Sequence, residues 1–292
     1  MIPKEILQKV RRIEIKTQSI VDAMLSGEYH SVFKGRGMEF SEVRQYTEGD
    51  DIRSIDWNVT ARMGEPYVKK HTEERELTVM LVVDASASGN FGSSQAFKAE
   101  IAVELCALLA FSAIKNNDRV GLIIFTSEVE TFIPPKKGKN HVLRVIRELL
   151  YFKPQKRGTA IGEAIKFLNR VQRRKAVVFV VSDFFDTNYQ SPLRIAARRH
   201  DLIALTITDP REQSLPPLGL MELEDPESGE IVLVDTADKR MRAAFAQRAQ
   251  SRTVQRSSFF RSSRIDEIVI STDTDYVEPL VRFFKRRERI KK

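Results

Sequence analysis

Leu77-Thr-Val-Met-Leu-Val-Val-Asp84-Ala-Ser86-Ala-Ser88 is the stretch whose reading decides the fold. An apolar run containing several β-branched residues has the pattern of a strand buried on both faces. The run stops at Asp84, and serines follow at alternate positions. One carboxylate and two hydroxyls therefore leave the end of a buried strand together. Hard divalent cations are held by oxygen, so this arrangement points to a Mg²⁺-type site at a strand's C-terminal end. The plainer reading of the same residues is a strand cap that begins a turn.

Downstream of this stretch, apolar periodicity switches back and forth between the strand and helix types. Ala96–Ile114 reads as a helix with Ile101, Leu105, Leu108 and Leu109 on its apolar face. Arg119–Phe125 is a strand, and Val129–Ile133 returns beside it through a short turn. Asn140–Phe152 is helical, and a basic loop, Lys153-Pro-Gln-Lys-Arg-Gly-Thr159, leads into a helix that ends near Val171. Ala176–Ser182 is a second fully apolar strand, ending at Asp183. Pro192–Arg199 is helical, and Leu202–Thr208 is a further strand, ending at Asp209. Strands alternating with helices predict an α/β fold with a doubly wound, mostly parallel sheet, Val129–Ile133 forming one antiparallel edge. A surface hairpin at about 220–234, a helix over Lys239–Gln250, a strand over Asp266–Ser271 and a helix over Tyr276–Arg287 complete the chain.

Upstream, Ile6, Leu7, Val10, Ile13, Ile20, Val21, Met24 and Leu25 fall at near-helical spacing. Gly35 and Gly37 lack the further glycine or Gly-Lys-Ser/Thr that a phosphate loop requires. Gly49-Asp-Asp reads as a turn. Arg44, Arg53 and Asp56, close to Tyr46 and Trp57, are expected to form a paired polar network beneath the single tryptophan. Val68–Glu76 reads as a charged, extended lead-in. The expected organisation is an extension over 1–76 packed on a domain over 77–292.

Composition sets the outer bounds. The 292 residues are 42% apolar and 8% aromatic, enough for a real core. The lone cysteine, Cys106, excludes an intrachain disulfide and reads as a small buried residue. There is no signal-like start and no apolar run of about 18 residues, so a cytoplasmic protein without a membrane span is expected. The net charge of +8 is concentrated at the C-terminus, where residues 239–292 carry 15 Lys/Arg against 6 Asp/Glu. Such a tail can meet nucleic acid or an anionic membrane. Without interleaved aromatics, a solvated helix face is the preferred reading.

In open α/β sheets, ligands gather beyond the strand C-termini. Asp84, Ser86 and Ser88 arrive there, as do Asp183 and the Thr159 loop. Two carboxylates and three hydroxyls supply the oxygen chemistry of an octahedral Mg²⁺ site completed by water. In order and spacing, Asp84-x-Ser86-x-Ser88, Thr159 after Gly158, and Asp183 at a strand end resemble the metal-ion-dependent adhesion site of von Willebrand factor A domains. The segment Gly35-Arg-Gly-Met-Glu-Phe with Arg44, Tyr46, Gly49-Asp-Asp, Arg53, Asp56-Trp57, Ala61-Arg62, Glu73 and Arg75 resembles the signature of an uncharacterised bacterial family with a von Willebrand A-like domain. Members of that family are associated with MoxR-type AAA+ ATPases.

The resemblance implies a site for Mg²⁺ or Mn²⁺ that recruits an acidic residue of a partner protein. Ser86, Ser88 and Thr159 would ligate directly, with Asp84 and Asp183 ligating or holding metal-bound waters. Arg157, beside Thr159, would either weaken the metal or greet the partner's carboxylate. The function this implies is a non-enzymatic adaptor for a MoxR-type ATPase in assembly or maturation of protein complexes. One competing function is metal-dependent phosphoester hydrolysis. Against it, Ser86 stands where a dehalogenase-type phosphatase needs a second carboxylate, and His30, His71, His141 and His200 form no evident catalytic pair. The other is nucleic-acid or membrane-surface binding through Lys285–Lys292.

Overall fold

The computed structural model describes residues 11–17, 20–21, 39–72, 76–93, 97–225 and 229–291. Its organising element is β3 (Thr78–Asp84), in which Val79, Met80, Leu81 and Val82 are completely buried. A strand can lose all solvent contact only if it is paired on both edges and covered on both faces. β3 pairs in parallel with β4 (Arg119–Phe125) on one side and β6 (Val177–Ser182) on the other. The six-stranded sheet runs β10-β7-β6-β3-β4-β5, completed by β5 (Val129–Lys136), β7 (Asp201–Thr208) and β10 (Asp266–Ser271). Only the β4–β5 pairing is antiparallel, so the mostly parallel sheet with one antiparallel edge is as the sequence pattern predicts.

The helices that cover this sheet are α2 (Lys98–Lys115), α3 (Lys139–Tyr151), α4 (Ile161–Val171), α5 (Gln190–Ala197), α7 (Lys239–Ser262) and α8 (Val277–Lys291). A single turn, α6 (Pro210–Gln213), follows β7. Met80, Val82, Val178 and Val180 meet Ile165, Leu168, Leu193 and Phe260 from α4, α5 and α7 in one continuous core. Val79, Leu81 and Val83 alternate to the opposite face, where α2 packs. On the Met80 side of the sheet the chain approaches itself closely at Gly121. A Cβ at that position would lie 2.6 Å from Met80 Sδ and 3.1 Å from the Ile133 carbonyl oxygen. Gly121→Ala is therefore expected to cost about 1–3 kcal/mol, read as a lower urea midpoint at unchanged slope.

α7 continues to Ser262, a full twelve residues beyond the Lys239–Gln250 helix expected from the sequence. Ser251–Ser258 offers few apolar residues, but Arg256, Phe259 and Phe260 are buried and hold the last turns against the sheet. The C-terminal basic residues are partly committed to internal pairs. Arg287 in α8 forks onto both carboxylate oxygens of Asp201 and also donates to Asp266, while Arg256 pairs with Glu267. No helix among the described residues is long and apolar enough to cross a membrane. Cys106 is fully buried, as expected.

The chain divides into two compact units, Phe33–Leu77 and the remainder. The helical residues 11–17 belong with the large unit, tied to it by Lys16–Glu104 and Lys139–Glu14 ion pairs. The expected boundary at 76 therefore places them in the wrong unit. Ile6, Leu7, Val10, Met24, Leu25, Gly35 and Gly37 lie outside the described residues, as do Glu73 and Arg75.

Within the smaller unit, β1 (Glu39–Gln45) pairs antiparallel with β2 (Tyr67–Thr72), so the expected charged lead-in is half of a two-stranded sheet. Asp56 caps α1 (Trp57–Met63) by accepting from Asn58 N and Val59 N, and Gly64 ends it at φ +77°. Arg44 forks onto Asp50 across the Thr47–Asp50 turn. Arg44 thus clamps a turn and Asp56 caps a helix, and Trp57, expected to cover them, is 67% exposed. The hairpin of β8 (Leu220–Glu224) and β9 (Ile231–Asp235) forms a third, two-stranded sheet.

Candidate functional site

The parallel register fixes what meets at the C-terminal edge. Asp84 lies beside Phe125, and Val83 lies beside Val181, so Asp84 and Ser182 are level and Asp183 follows one residue beyond. Asp84 Oδ2 accepts a 2.6 Å hydrogen bond from Ser182 Oγ, and Oδ1 accepts from Ser86 N at 2.9 Å. Ser86 then opens a 3₁₀ turn, Ala87–Asn90, which brings the Ser86 and Ser88 hydroxyls 3.0 Å apart. After β6 the backbone turns sharply. Phe184 is in the left-handed region at φ +58°, held there by its N–H donating to Ser182 Oγ at 3.0 Å. That turn aims the buried Asp183 carboxylate back toward Asp84, with Oδ1 accepting from Phe185 N at 3.2 Å.

Asp84, Ser86, Ser88 and Asp183 line one small cleft together with Ser182 and Lys98, and the space enclosed is about 20 Å³. That is room for an ion or a water, and an adjoining pocket of about 90 Å³ shares Asp84 and Ser86 with it. Thr159 stands outside this lining. Its loop is nevertheless fastened at the same sheet edge: Ala160 N donates to Thr126 O just after β4, and Ile161 N donates to Asp186 just after β6. Glu130 accepts from Thr126 Oγ1, Gln155 N and Lys156 N, which pins the basic part of the loop. Gly158 makes the final bend at φ +86°, a conformation that favours glycine. Arg157 is exposed and reaches the β8–β9 turn, its guanidinium near Gly229, rather than the cleft.

Sequence reasoning missed the cationic member of the cleft. Lys98, the first residue of α2, is only 3% exposed. Its ammonium donates to Asp183 Oδ2 at 3.0 Å and to Glu212, with the rings of Phe91 and Phe185 at 5.8 and 5.3 Å. Glu212 is placed by a capping box on α6, in which Asp209 accepts from Arg211 N and Glu212 accepts from Asp209 N. The Asp209-Pro-Arg-Glu212 spacing is a legible signal for that box. For Lys98 there was no signal, because a lysine at a helix start normally reads as solvated.

Burial, and secondly the charge of Asp183, push the Asp84 carboxyl up to about 6. An acid whose folded-state pKa is raised destabilises the fold as pH climbs from its unfolded value through the folded one. Asp84→Asn is therefore expected to be more stable than the wild type at pH 7 in chelator, by about 2 kcal/mol, with the gap closing toward pH 4. Paired urea titrations at the two pH values measure it. The donor set is that of a hard cation, two carboxylates and two hydroxyls, and the residues present fit Mg²⁺ or Mn²⁺ in kind. One Asp183 oxygen already carries an ammonium.

A mostly parallel sheet flanked by helices, one antiparallel edge strand and an oxygen-lined cleft at its C-terminal edge make this a doubly wound α/β protein. Over residues 42–255 the chain matches the family described as Protein of unknown function DUF58, and it belongs to that family. An uncharacterized protein of Mycobacterium tuberculosis is 33% identical over 284 residues, covering 96% of this chain and 89% of the relative. Among solved structures, the conserved hypothetical protein BatB from Bacteroides thetaiotaomicron is similar at a TM-score of 0.47 and 19% identity, over 73% of this chain and 99% of that one. The SpRpn10 VWA domain is similar at a TM-score of 0.39 and 13% identity, over 72% of this chain and 95% of that one.

Proposed function

We propose that the chain is a non-enzymatic, cytoplasmic protein-interaction module whose cleft takes Mg²⁺ or Mn²⁺ and, through it, an acidic side chain of a partner. The observation that carries this reading is the size and chemistry of the cleft, an ion-sized space walled by Asp84, Asp183, Ser86 and Ser88. The partner implied by the sequence resemblance is a MoxR-type AAA+ ATPase, served during assembly or maturation of protein complexes.

The described histidine side chains support a binding role over hydrolysis. His141 bonds to the Val120 carbonyl at the start of β4, and buried His200 precedes β7, so both lie at the edge of the sheet opposite the cleft. Arg256 in α7 and Arg287 in α8 support a structural role for part of the basic C-terminus, since both are held in internal pairs.

The test is capture of the purified ATPase by the wild-type protein, by Asp84→Ala and by wild type in chelator. Capture by wild type alone supports the reading, and equal capture in all three overturns it. Mn²⁺-dependent turnover of a generic phosphoester, lost in Asp84→Ala, would replace it with the hydrolase.

A further inference from the structure

Burying an ammonium requires partners, because desolvation of an unpaired charge costs several kcal/mol. Lys98 has two carboxylates and two aromatic rings around it, a purpose-built seat. Its position makes the arrangement more pointed. Lys98 is the first residue of α2, where the helix dipole disfavours a cation, so the residue gains nothing from helix formation. What it gains is Asp183, one of the two carboxylates that a divalent ion in this cleft would use. The family-type donor set and a tethered monovalent cation thus share one oxygen.

We propose that Lys98 is a built-in competitor of the metal: its ammonium neutralises Asp183 in the metal-free protein and must leave that oxygen before a divalent ion can engage Asp84 and Asp183 together. This inference rests on the reading of the cleft as a metal site. Two features make the exchange feasible. Glu212 offers Lys98 a second carboxylate on the outer side, so the ammonium keeps one anionic partner when it releases Asp183. Phe91 and Phe185, which flank it, are 40% and 44% exposed, so the seat opens at the surface between two rings.

A positive charge bonded to a ligand carboxylate opposes a dication electrostatically and also occupies a lone pair that the dication needs. The site is accordingly weak by design, with Asp183 already paired in the metal-free protein. A partner that bears an acidic residue would add the negative charge that favours the ion over the ammonium.

The experiment is Mn²⁺ titration, followed by electron paramagnetic resonance and by thermal shift, of the full chain as wild type, Lys98→Met and Lys98→Gln. Lys98→Gln keeps a neutral donor for Asp183 and guards against a Lys98→Met protein that does not fold. Both variants are expected to bind Mn²⁺ at least about tenfold more tightly than wild type, with a larger metal-dependent rise in melting temperature. The gain is expected to vanish in Lys98→Gln/Asp84→Ala, which places the ion in the cleft. Equal or weaker binding in the Lys98 variants than in wild type overturns the competition and leaves the metal site standing. Binding in none of the three proteins overturns both.

Discussion

Asp209→Ala is expected to lower unfolding stability by about 3 kcal/mol and to unseat Lys98 at the same time. Asp209 is completely buried and accepts four hydrogen bonds. Its Oδ1 takes Ser93 Oγ and Arg211 N, and its Oδ2 takes Ser93 N and Thr272 Oγ1. One carboxylate therefore ties the loop after β3 to the ends of β7 and β10. Through the capping box it also sets α6, and α6 carries Glu212 to Lys98. Alanine leaves all four donors without their common acceptor.

The pH dependence follows from the same bonds. Burial raises the Asp209 pKa, but the bonds from Ser93, Thr272 and Arg211 outweigh it and hold the group below the usual carboxylate range. Stability from a depressed acid is present above its unfolded pKa and lost as pH falls through the folded one. The difference between wild type and Asp209→Ala is thus expected to be full at pH 7 and to shrink on acidification below about pH 4. Denaturant titrations across that range measure it.

The second large effect is expected at Phe260. It is 1% exposed and meets Phe184 edge to face at 5.1 Å, with Phe259 at 5.6 Å and Tyr189 at 6.4 Å. Phe260→Ala removes the centre of this cluster and is expected to cost about 3–5 kcal/mol, with Phe260→Leu recovering a good part of it. The consequence reaches the cleft. Phe184 is the left-handed residue next to Asp183, and its ring is pinned by Phe260. Loss of the pin relaxes the turn that aims Asp183, so Phe260→Ala is also expected to weaken Mn²⁺ binding. Urea midpoints and Mn²⁺ titration read the two effects separately.

Much of this protein could be read from residue pattern because its sheet is nearly all buried. β3, β6 and β7 are largely apolar runs of strand length, and three of the four helices between them are periodic, which left little choice of topology. Asp84, Ser86, Ser88 and Asp183 were legible for a related reason: oxygen-bearing residues directly after buried strands must emerge at one edge. Reading failed where a residue's role depends on contacts distant in sequence. Lys98 meets Asp183 and Glu212 across 85 and 114 residues of chain, and nothing near it announces that. The last half of α7 was missed because Ser251–Ser258 lacks an apolar stripe and is held by Phe259 and Phe260 at its end. Trp57 misled because a lone tryptophan invites a buried reading, whereas Asp56 beside it is a helix cap and the ring stays in solvent.

A divalent ion at the meeting point of β3 and β6 is what the proposed function requires. Titration of the full chain with millimolar Mn²⁺ at pH 7.5, read by electron paramagnetic resonance for wild type and Asp84→Ala, tests this most directly. One saturable site in the wild type, absent from Asp84→Ala, is the expected result. A wild type that binds no Mn²⁺, or an Asp84→Ala protein that binds it equally well, would contradict the account.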